Sequence, residues 1–113
     1  MPRGDLVPRP KKKTDFDIVF GSREAEKGWK DLVAARRNAC VDAWDFLVAS
    51  PTKLTPTSYP LEDKLAFVVR DEVSHRRWQL KLDGRNGFRI WYYVTGSTVV
   101  LERVFTAHPN ETK

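Results

Sequence analysis

The sequence has one cysteine, Cys40, only two histidines, and no long run of apolar residues. A single thiol cannot form an intramolecular disulfide, and no segment approaches the roughly 18 apolar residues that a membrane-spanning helix needs. The chain also does not open with the basic and then apolar pattern of a secretory leader. These absences argue against a disulfide-rich secreted domain and against a helical membrane protein. We therefore expect a soluble protein of the reducing cytoplasm.

Apolar residues are abundant even though they are not clustered in long runs. They make up 41% of the 113 residues and include four tryptophans. That much apolar area can offset the entropy of ordering about a hundred residues. The length allows one hydrophobic core but hardly two. We predict a flexible basic tail over residues 1–14 and one domain over residues 15–113.

The net charge of +5 is concentrated at the two ends of the sequence. Residues 1–13 contain five Lys or Arg and one Asp, and residues 73–113 contain seven Lys or Arg and three acidic residues, so each segment has net +4. One interpretation is simply a solvated basic surface. The C-terminal excess, however, falls on predicted strands, where it would lie on one face. This pattern favours a polyanionic partner.

The first half of the domain predicts one strand followed by two helices. Residues 15–20 alternate acidic and apolar side chains, which is the pattern of a half-buried strand. Ser22 is a favourable N-cap, and two apolar stripes of helical spacing follow, separated by residues 36–38 and ended by Pro51. Cys40 lies on the second stripe, where burial is far commoner for a lone cysteine than a nucleophilic role. The pattern predicts a helical hairpin.

The second half predicts a loop and then three antiparallel strands. Residues 51–73 contain three prolines and are interpreted as a loop that places an apolar anchor, residues 65–69, on the core. Strand-like runs follow at residues 75–82, 88–94 and 98–106, joined by short turns that contain glycine. The predicted fold class is α+β, with an N-terminal strand, a two-helix hairpin and a three-stranded antiparallel meander.

Alternation along the predicted meander separates two faces of the sheet. The face that carries Trp78, Leu80 and Ile90 is apolar and should be covered by the helices. We expect Trp29, Trp44 and Trp78 to be buried between the two layers. The opposite face is basic and aromatic, a composition that can hold phosphates and stack bases.

Three segments of this second half resemble the RelE/ParE superfamily of bacterial toxins. Arg76 to Lys81 resembles the second strand of that family, and Phe88 to Val94 resembles its central strand, in which an arginine precedes apolar and tyrosine residues. Val104 to Pro109 resembles its closing strand and catalytic tail. The order of elements is similar over residues 16–113. The resemblance implies a toxin of a bacterial or phage type II toxin–antitoxin pair, with a cognate antitoxin as its protein partner.

The resemblance leaves the activity open between two branches of the superfamily. One branch cleaves mRNA, usually at the ribosome and without a metal or other cofactor, and the other poisons DNA gyrase. A nucleic-acid-binding module without catalysis on the same fold is a third alternative. We favour the endoribonuclease, in which the ribose 2′-OH attacks the adjacent phosphate. That reaction needs a proton acceptor, a cation for the developing charge and a donor to the leaving oxygen.

The resemblance assigns Arg89 and His108 to catalysis. Arg89 would contact the scissile phosphate, and His108 would transfer the proton, because histidine is the side chain that titrates near neutrality. The ribonucleases of the family often carry several lysines before the second strand, where this chain has residues 71–73, Asp-Glu-Val, and Lys64 as its nearest lysine. The remaining RNA-binding candidates are cationic or aromatic residues: Arg77, Lys81, Arg85, Trp91, Tyr93 and Arg103.

Four of these candidates also have a purely structural interpretation. Arg89 could pair with Glu102 on the surface of the sheet. Trp91 and Tyr93 could be covered residues of a central strand, and His108 could be a tail residue without a role. The predicted site therefore depends on which side chains the fold leaves open.

Overall fold

The structure, a computed structural model, describes residues 4–83 and 87–106. In chain order its elements are β1 (Asp17–Phe20), α1 (Arg23–Ala35), α2 (Arg37–Ala49), β2 (Ser58–Pro60), a 3₁₀ turn (Asp63–Leu65), β3 (Phe67–Arg70), β4 (Val73–Arg76), β5 (Trp78–Asp83), β6 (Phe88–Thr95) and β7 (Thr98–Phe105). The predicted α+β class and the order of strand, helical hairpin and meander are confirmed. None of the helices in the described part of the chain is long and apolar enough to cross a membrane. Arg85 and His108 lie outside the described residues.

Five strands form the main sheet, in the order β1-β7-β6-β5-β2. β1 runs parallel to β7, with Asp17 opposite Thr98, and the other neighbouring pairs are antiparallel. The first strand of the chain therefore forms one edge of the sheet beside the last described strand. Both helices pack on one face, and the opposite face is called the outer face below.

Local signals explain where the helices begin and how closely they pack. Ser22 caps α1, because its hydroxyl oxygen accepts a hydrogen bond from the Ala25 amide at 3.0 Å. Arg36 alone separates the two helices. Gly28 lies where α1 crosses β7, and a β-carbon at this position would lie 2.3 Å from the Val104 carbonyl oxygen. The close approach of helix and strand therefore requires glycine.

The core lies between the helices and the sheet, as the apolar stripes predict. Its members share near-complete burial and include Leu32, Cys40, Leu47, Leu80, Ile90, Tyr92, Val99 and Leu101. The Tyr92 hydroxyl donates a 2.6 Å hydrogen bond to the Pro51 carbonyl, which anchors the segment after α2 to the sheet. The predicted packing of the helices on the face bearing Leu80 and Ile90 is confirmed.

The expected burial of the tryptophans is only partly met. Trp29 and Trp78 are half-buried against the core, but Trp44 is 37% exposed, so the prediction for Trp44 is wrong. α2 turns Cys40, Ala43 and Leu47 inward, which leaves Trp44 at the margin of the stripe. The guanidinium of Arg9, in the basic tail, lies 4.7 Å from the centre of its ring.

Residues 51–73 are more regular than the predicted loop. β2 pairs with β5, and β3 pairs with β4 in a separate two-stranded hairpin. The turn of this hairpin uses Asp71 and Glu72, both with positive φ, where glycine or asparagine is the usual sequence signal. The predicted strand 75–82 is accordingly divided, because β4 belongs to the hairpin and β5 to the main sheet.

The β3–β4 hairpin covers part of the outer face. Val68 of the hairpin is buried with Tyr93 and Val100 of the main sheet. The His75 ring stacks on the Tyr93 ring, with 4.4 Å between ring centres. The β3–β4 hairpin thus covers part of the outer face, whereas the sequence predicted this segment only as an apolar anchor on the core.

Candidate nucleic-acid interface

A β-bulge in β7 determines which charged side chains reach the outer face. Trp91 lies opposite Arg103 and Tyr92 opposite Leu101, so Glu102 has no partner residue on β6. A bulge of this kind inserts one residue and shifts the alternation of side chains. Two successive charged residues, Glu102 and Arg103, consequently lie on the outer side of the sheet.

The strand register aligns outer-face side chains in two rows. The first row consists of Tyr59 on β2, Gln79 on β5, Trp91 on β6 and Arg103 on β7. The second row consists of Lys81, Arg89 and Phe105. Neighbouring strands are about 4.8 Å apart, so each row is a continuous line of side chains. The fold therefore brings together Lys81, Arg89, Trp91 and Arg103 of the predicted site, beside Tyr59 and Gln79.

The buried amide of Gln79 connects three of these side chains. Its Oε1 accepts a hydrogen bond from Trp91 Nε1 at 2.8 Å and a longer one from Arg89 Nη1 at 3.4 Å. Its Nε2 donates to the Tyr59 hydroxyl oxygen at 2.9 Å. These four residues are called the Gln79 network. Strand alternation placed Gln79 on this face, but no sequence signal marked it as the connecting group.

Arg89 lies near the start of the central strand β6 and is largely covered. The residue is 5% exposed, and its Nε has no hydrogen-bond partner within the described residues. A buried donor without a partner costs roughly 1–3 kcal/mol, so such groups are uncommon unless they serve a purpose. Arg89 therefore retains an unused donor at the centre of the predicted site.

Glu102 pairs with Arg77, not with Arg89. Arg77 Nη2 lies 2.8 Å from Glu102 Oε1, Arg77 Nε lies 3.1 Å from Glu102 Oε2, and the pair is largely shielded from solvent, with Glu102 buried and Arg77 partly buried. Arg77 Nη1 also donates to the Leu65 carbonyl at 3.3 Å, and its guanidinium lies over the Trp91 ring at 5.3 Å. These contacts give three of the five N–H donors of Arg77 structural partners, and its role in RNA binding stays a prediction.

The predicted base-stacking residues are covered as well. Trp91 is 2% exposed and meets Phe105 edge-on, with 4.8 Å between ring centres. Tyr93 is 8% exposed beneath His75. The alternative interpretation, as covered residues of a central strand, is confirmed for both. Neither ring has an open face on which a base could stack.

The accessible cations of the two rows lie at their margins. Lys81 is half-buried, and its ammonium lies 5.6 Å from the centre of the Tyr59 ring. Arg103 is exposed, with its guanidinium 4.8 Å from the centre of the Phe105 ring. Cationic groups that flank a central arginine form an arrangement suited to successive phosphates of a single strand.

Cys40 has no place in this chemistry. It is buried among the helices, and burial raises the pKa of its thiol. A thiol that is buried and held protonated is a poor nucleophile. The preference for a core role at this position is confirmed.

A helical hairpin on one face of a mixed sheet, with a cationic and aromatic network on the other, defines an α+β domain. Among solved structures, a chain of the toxin–antitoxin complex RelBE2 from Mycobacterium tuberculosis is similar, with a TM-score of 0.51. The two chains are 16% identical, and the similarity covers 88% of this chain and 100% of the other. No protein-family model matches the sequence, and no curated protein matches it either. The likeness establishes the RelE-like fold that the sequence predicted.

Proposed function

We propose that this protein is the toxin of a type II toxin–antitoxin pair and acts as a metal-free endoribonuclease on mRNA at the ribosome. The RelE-like fold, found in a chain of a toxin–antitoxin complex, supports the first part. One observation carries the second part: the Arg89 guanidinium has an unused donor on the central strand β6, and Arg89 is paired with Lys81 of β5. Like charges at directly opposed positions of neighbouring strands are destabilising, and an anion bound between them would relieve the repulsion.

In the proposed reaction the ribose 2′-oxygen attacks the adjacent phosphorus. A new O2′–P bond forms, the P–O5′ bond breaks, and the products are a 2′,3′-cyclic phosphate and a 5′-hydroxyl. Arg89 donates hydrogen bonds to the phosphate oxygens as negative charge builds on them. His108 is proposed to transfer the proton. Because Arg89 is 5% exposed, Lys81 and Arg103 make the first contacts and RNA binding uncovers Arg89.

The proposed protein partner is an acidic antitoxin that neutralises the basic strands. Residues 73–113 carry net +4, and the exposed side chain of Arg103 adds to the positive potential of the outer face. Complementary charge increases both the rate and the specificity of such an association. We propose that the pair acts in the cytoplasm.

Expression of the full chain in a bacterial host tests this function. The wild type should arrest growth and leave mRNA fragments with 5′-hydroxyl ends, and Arg89→Met and His108→Ala should slow cleavage by about 10²–10⁴-fold. Methionine keeps most of the buried length of Arg89 while it removes the donors. Arg70→Ala is the matched control, because Arg70 is exposed on β3 and, among the described residues, donates only to the Val69 carbonyl beside it. Intact RNA in growth-arrested cells would refute the ribonuclease.

The burial of the aromatic rings favours a second candidate function, a gyrase poison that binds protein instead of RNA. With Trp91 and Tyr93 covered, this face lacks the open rings on which single-stranded nucleic acid usually stacks. Growth arrest with intact RNA and gyrase-dependent DNA breaks would support this candidate. Growth arrest with neither cut RNA nor DNA breaks would support the third alternative, a nucleic-acid-binding module without catalysis.

A further inference from the structure

Tyr59, on the edge strand β2, lies in the first row of the outer face within a stretch that the sequence predicted as loop. It lies opposite Gln79, is half-buried, and has the Lys81 ammonium 5.6 Å from the centre of its ring. Arg89 Nη1 donates a hydrogen bond to the amide oxygen of Gln79, whose amide nitrogen contacts Tyr59. The hydroxyl of a half-buried tyrosine therefore lies next to the proposed phosphate site.

The partners of Gln79 fix the direction of its amide. The indole N–H of Trp91 and the guanidinium of Arg89 are donors only, so both must face the amide oxygen. The amide nitrogen consequently faces Tyr59, at 2.9 Å, and must donate to the phenol oxygen. Tyr59 accepts this hydrogen bond, so its own proton points elsewhere. Among residues 4–83 and 87–106 no group accepts that proton.

The neighbouring charges favour an anion as the acceptor. Lys81 and Arg89 occupy opposed positions on adjacent strands, and the Lys81 ammonium lies over the Tyr59 ring. A phosphate oxygen drawn to Lys81 therefore comes within reach of the phenol. A neutral donor that points at developing negative charge is worth more in the transition state than in the ground state.

We propose that Tyr59 is a further catalytic residue of this site, donating its hydroxyl hydrogen bond to the phosphate being cleaved, and that Gln79 is the positioning residue that orients it. This inference rests on the proposed ribonuclease function. Tyr59 donates a hydrogen bond without transferring the proton, so the bonds made and broken are those given above. Gln79 acts by holding the phenol with its hydrogen directed away from the network.

Single-turnover cleavage of ribosome-bound mRNA by the full chain tests the role of Tyr59. Tyr59→Phe should lower the cleavage rate by about 100-fold, which is the usual effect of removing one transition-state donor. Binding of a 2′-O-methyl RNA, which cannot be cleaved, should change by less than about threefold, because the contact strengthens only in the transition state. Tyr92→Phe is the matched control, because it removes a phenol hydroxyl from the helix side of the same sheet and should leave the rate unchanged.

A double-mutant comparison tests the positioning role of Gln79. Gln79→Met keeps the shape of the side chain but removes the hydrogen bonds that orient Tyr59. Tyr59→Phe should therefore slow the Gln79→Met protein by less than about threefold, whereas independent effects would multiply. Full multiplication would overturn the positioning role.

The two levels of the proposal fail in different ways. If the wild type cleaves RNA and Tyr59→Phe cleaves it equally fast, the role of Tyr59 is overturned and the ribonuclease stands. If the wild type leaves RNA intact on ribosomes, the ribonuclease function falls and the role of Tyr59 falls with it. Thermal unfolding of Tyr59→Phe, monitored by circular dichroism, should match the wild type, and a loss of rate through unfolding would count against the proposal.

Discussion

At the scale of single residues, the Tyr92 hydroxyl links the core to alkaline stability. It donates a hydrogen bond to the Pro51 carbonyl, and burial raises the pKa of Tyr92 to about 12 from its ordinary value of 10. The folded state therefore favours the neutral phenol. This contribution to the free energy of unfolding is complete below pH 10 and is lost as the pH rises from 10 to about 12.

Tyr92→Phe should separate this contribution from the other groups that titrate in alkali. Wild-type stability should fall by about 2–3 kcal/mol more than that of Tyr92→Phe between pH 10 and 12. At pH 7 the variant should already be about 1–3 kcal/mol less stable, because the buried Pro51 carbonyl loses its donor. Urea unfolding at several pH values measures both differences. Parallel stability curves above pH 10 would contradict the assigned role of Tyr92.

The alternation of side chains along the strands predicted which residues share the outer face. It did not predict which of them are exposed to solvent. Alternation correctly placed Arg89 beside Trp91, whereas the burial of both depends on the Gln79 network and on neighbouring strands. The Arg77–Glu102 pair depends on the bulge in β7, because strict alternation would direct Glu102 away from Arg103. A bulge leaves no signal in composition or periodicity, so this pairing could not be predicted.

At the scale of elements, the contact between α1 and β7 depends on the missing side chain of Gly28. Alanine is the better helix former by about 1 kcal/mol, so Gly-to-Ala changes in open helices usually stabilise. At this position the added β-carbon would lie 2.3 Å from the Val104 carbonyl oxygen. Since the backbone of β7 cannot move without disturbing its neighbours in the sheet, the clash should outweigh the gain in propensity.

Gly28→Ala should therefore lower the free energy of unfolding by roughly 1–3 kcal/mol. Asp31→Ala introduces the same residue at an exposed position of the same helix and should change stability by less than about 0.5 kcal/mol. Denaturant unfolding of both variants makes the comparison. A stabilised Gly28→Ala protein would mean that α1 stands further from β7 than described.

Long periodic elements were predictable, and short ones were not. α1, α2, β6 and β7 have enough residues for a hydrophobic period to be recognised. β2 has three residues and includes Pro60, and β3 ends at a turn without glycine, so neither gives a recognisable signal. β2 nevertheless supplies Tyr59, so the proposed additional catalytic residue lies on a strand that the sequence did not predict.

At the scale of the whole molecule, the two basic segments occupy different sides of the fold. Arg9 in the tail lies beside Trp44 and Asp45 of α2, and Lys11 pairs with Asp17 of β1. The margins of the outer face, in contrast, present Lys81 and Arg103 on the opposite side of the sheet. The tail charges are therefore partly balanced by nearby carboxylates and lie away from the proposed RNA path.

Salt dependence should distinguish these two basic regions. Lys81→Gln and Arg103→Gln should each reduce the slope of log affinity against log salt for 2′-O-methyl RNA by about one. Arg9→Gln should leave that slope unchanged. Fluorescence anisotropy across a range of salt concentrations provides the measurement. An equal reduction by Arg9→Gln would place the tail in the RNA-binding surface and move the proposed path.

The parallel pairing of β1 with β7 has a consequence for synthesis of the protein. β1 is made early, yet its partner strand is complete only when Phe105 has been added, so the edge of the sheet cannot form during most of translation. A message broken before the codon for Arg103 yields a chain that lacks the end of β7, and therefore lacks Arg103 and Phe105, which complete the two rows of the outer face. A chain that ends there cannot complete the outer face of the sheet.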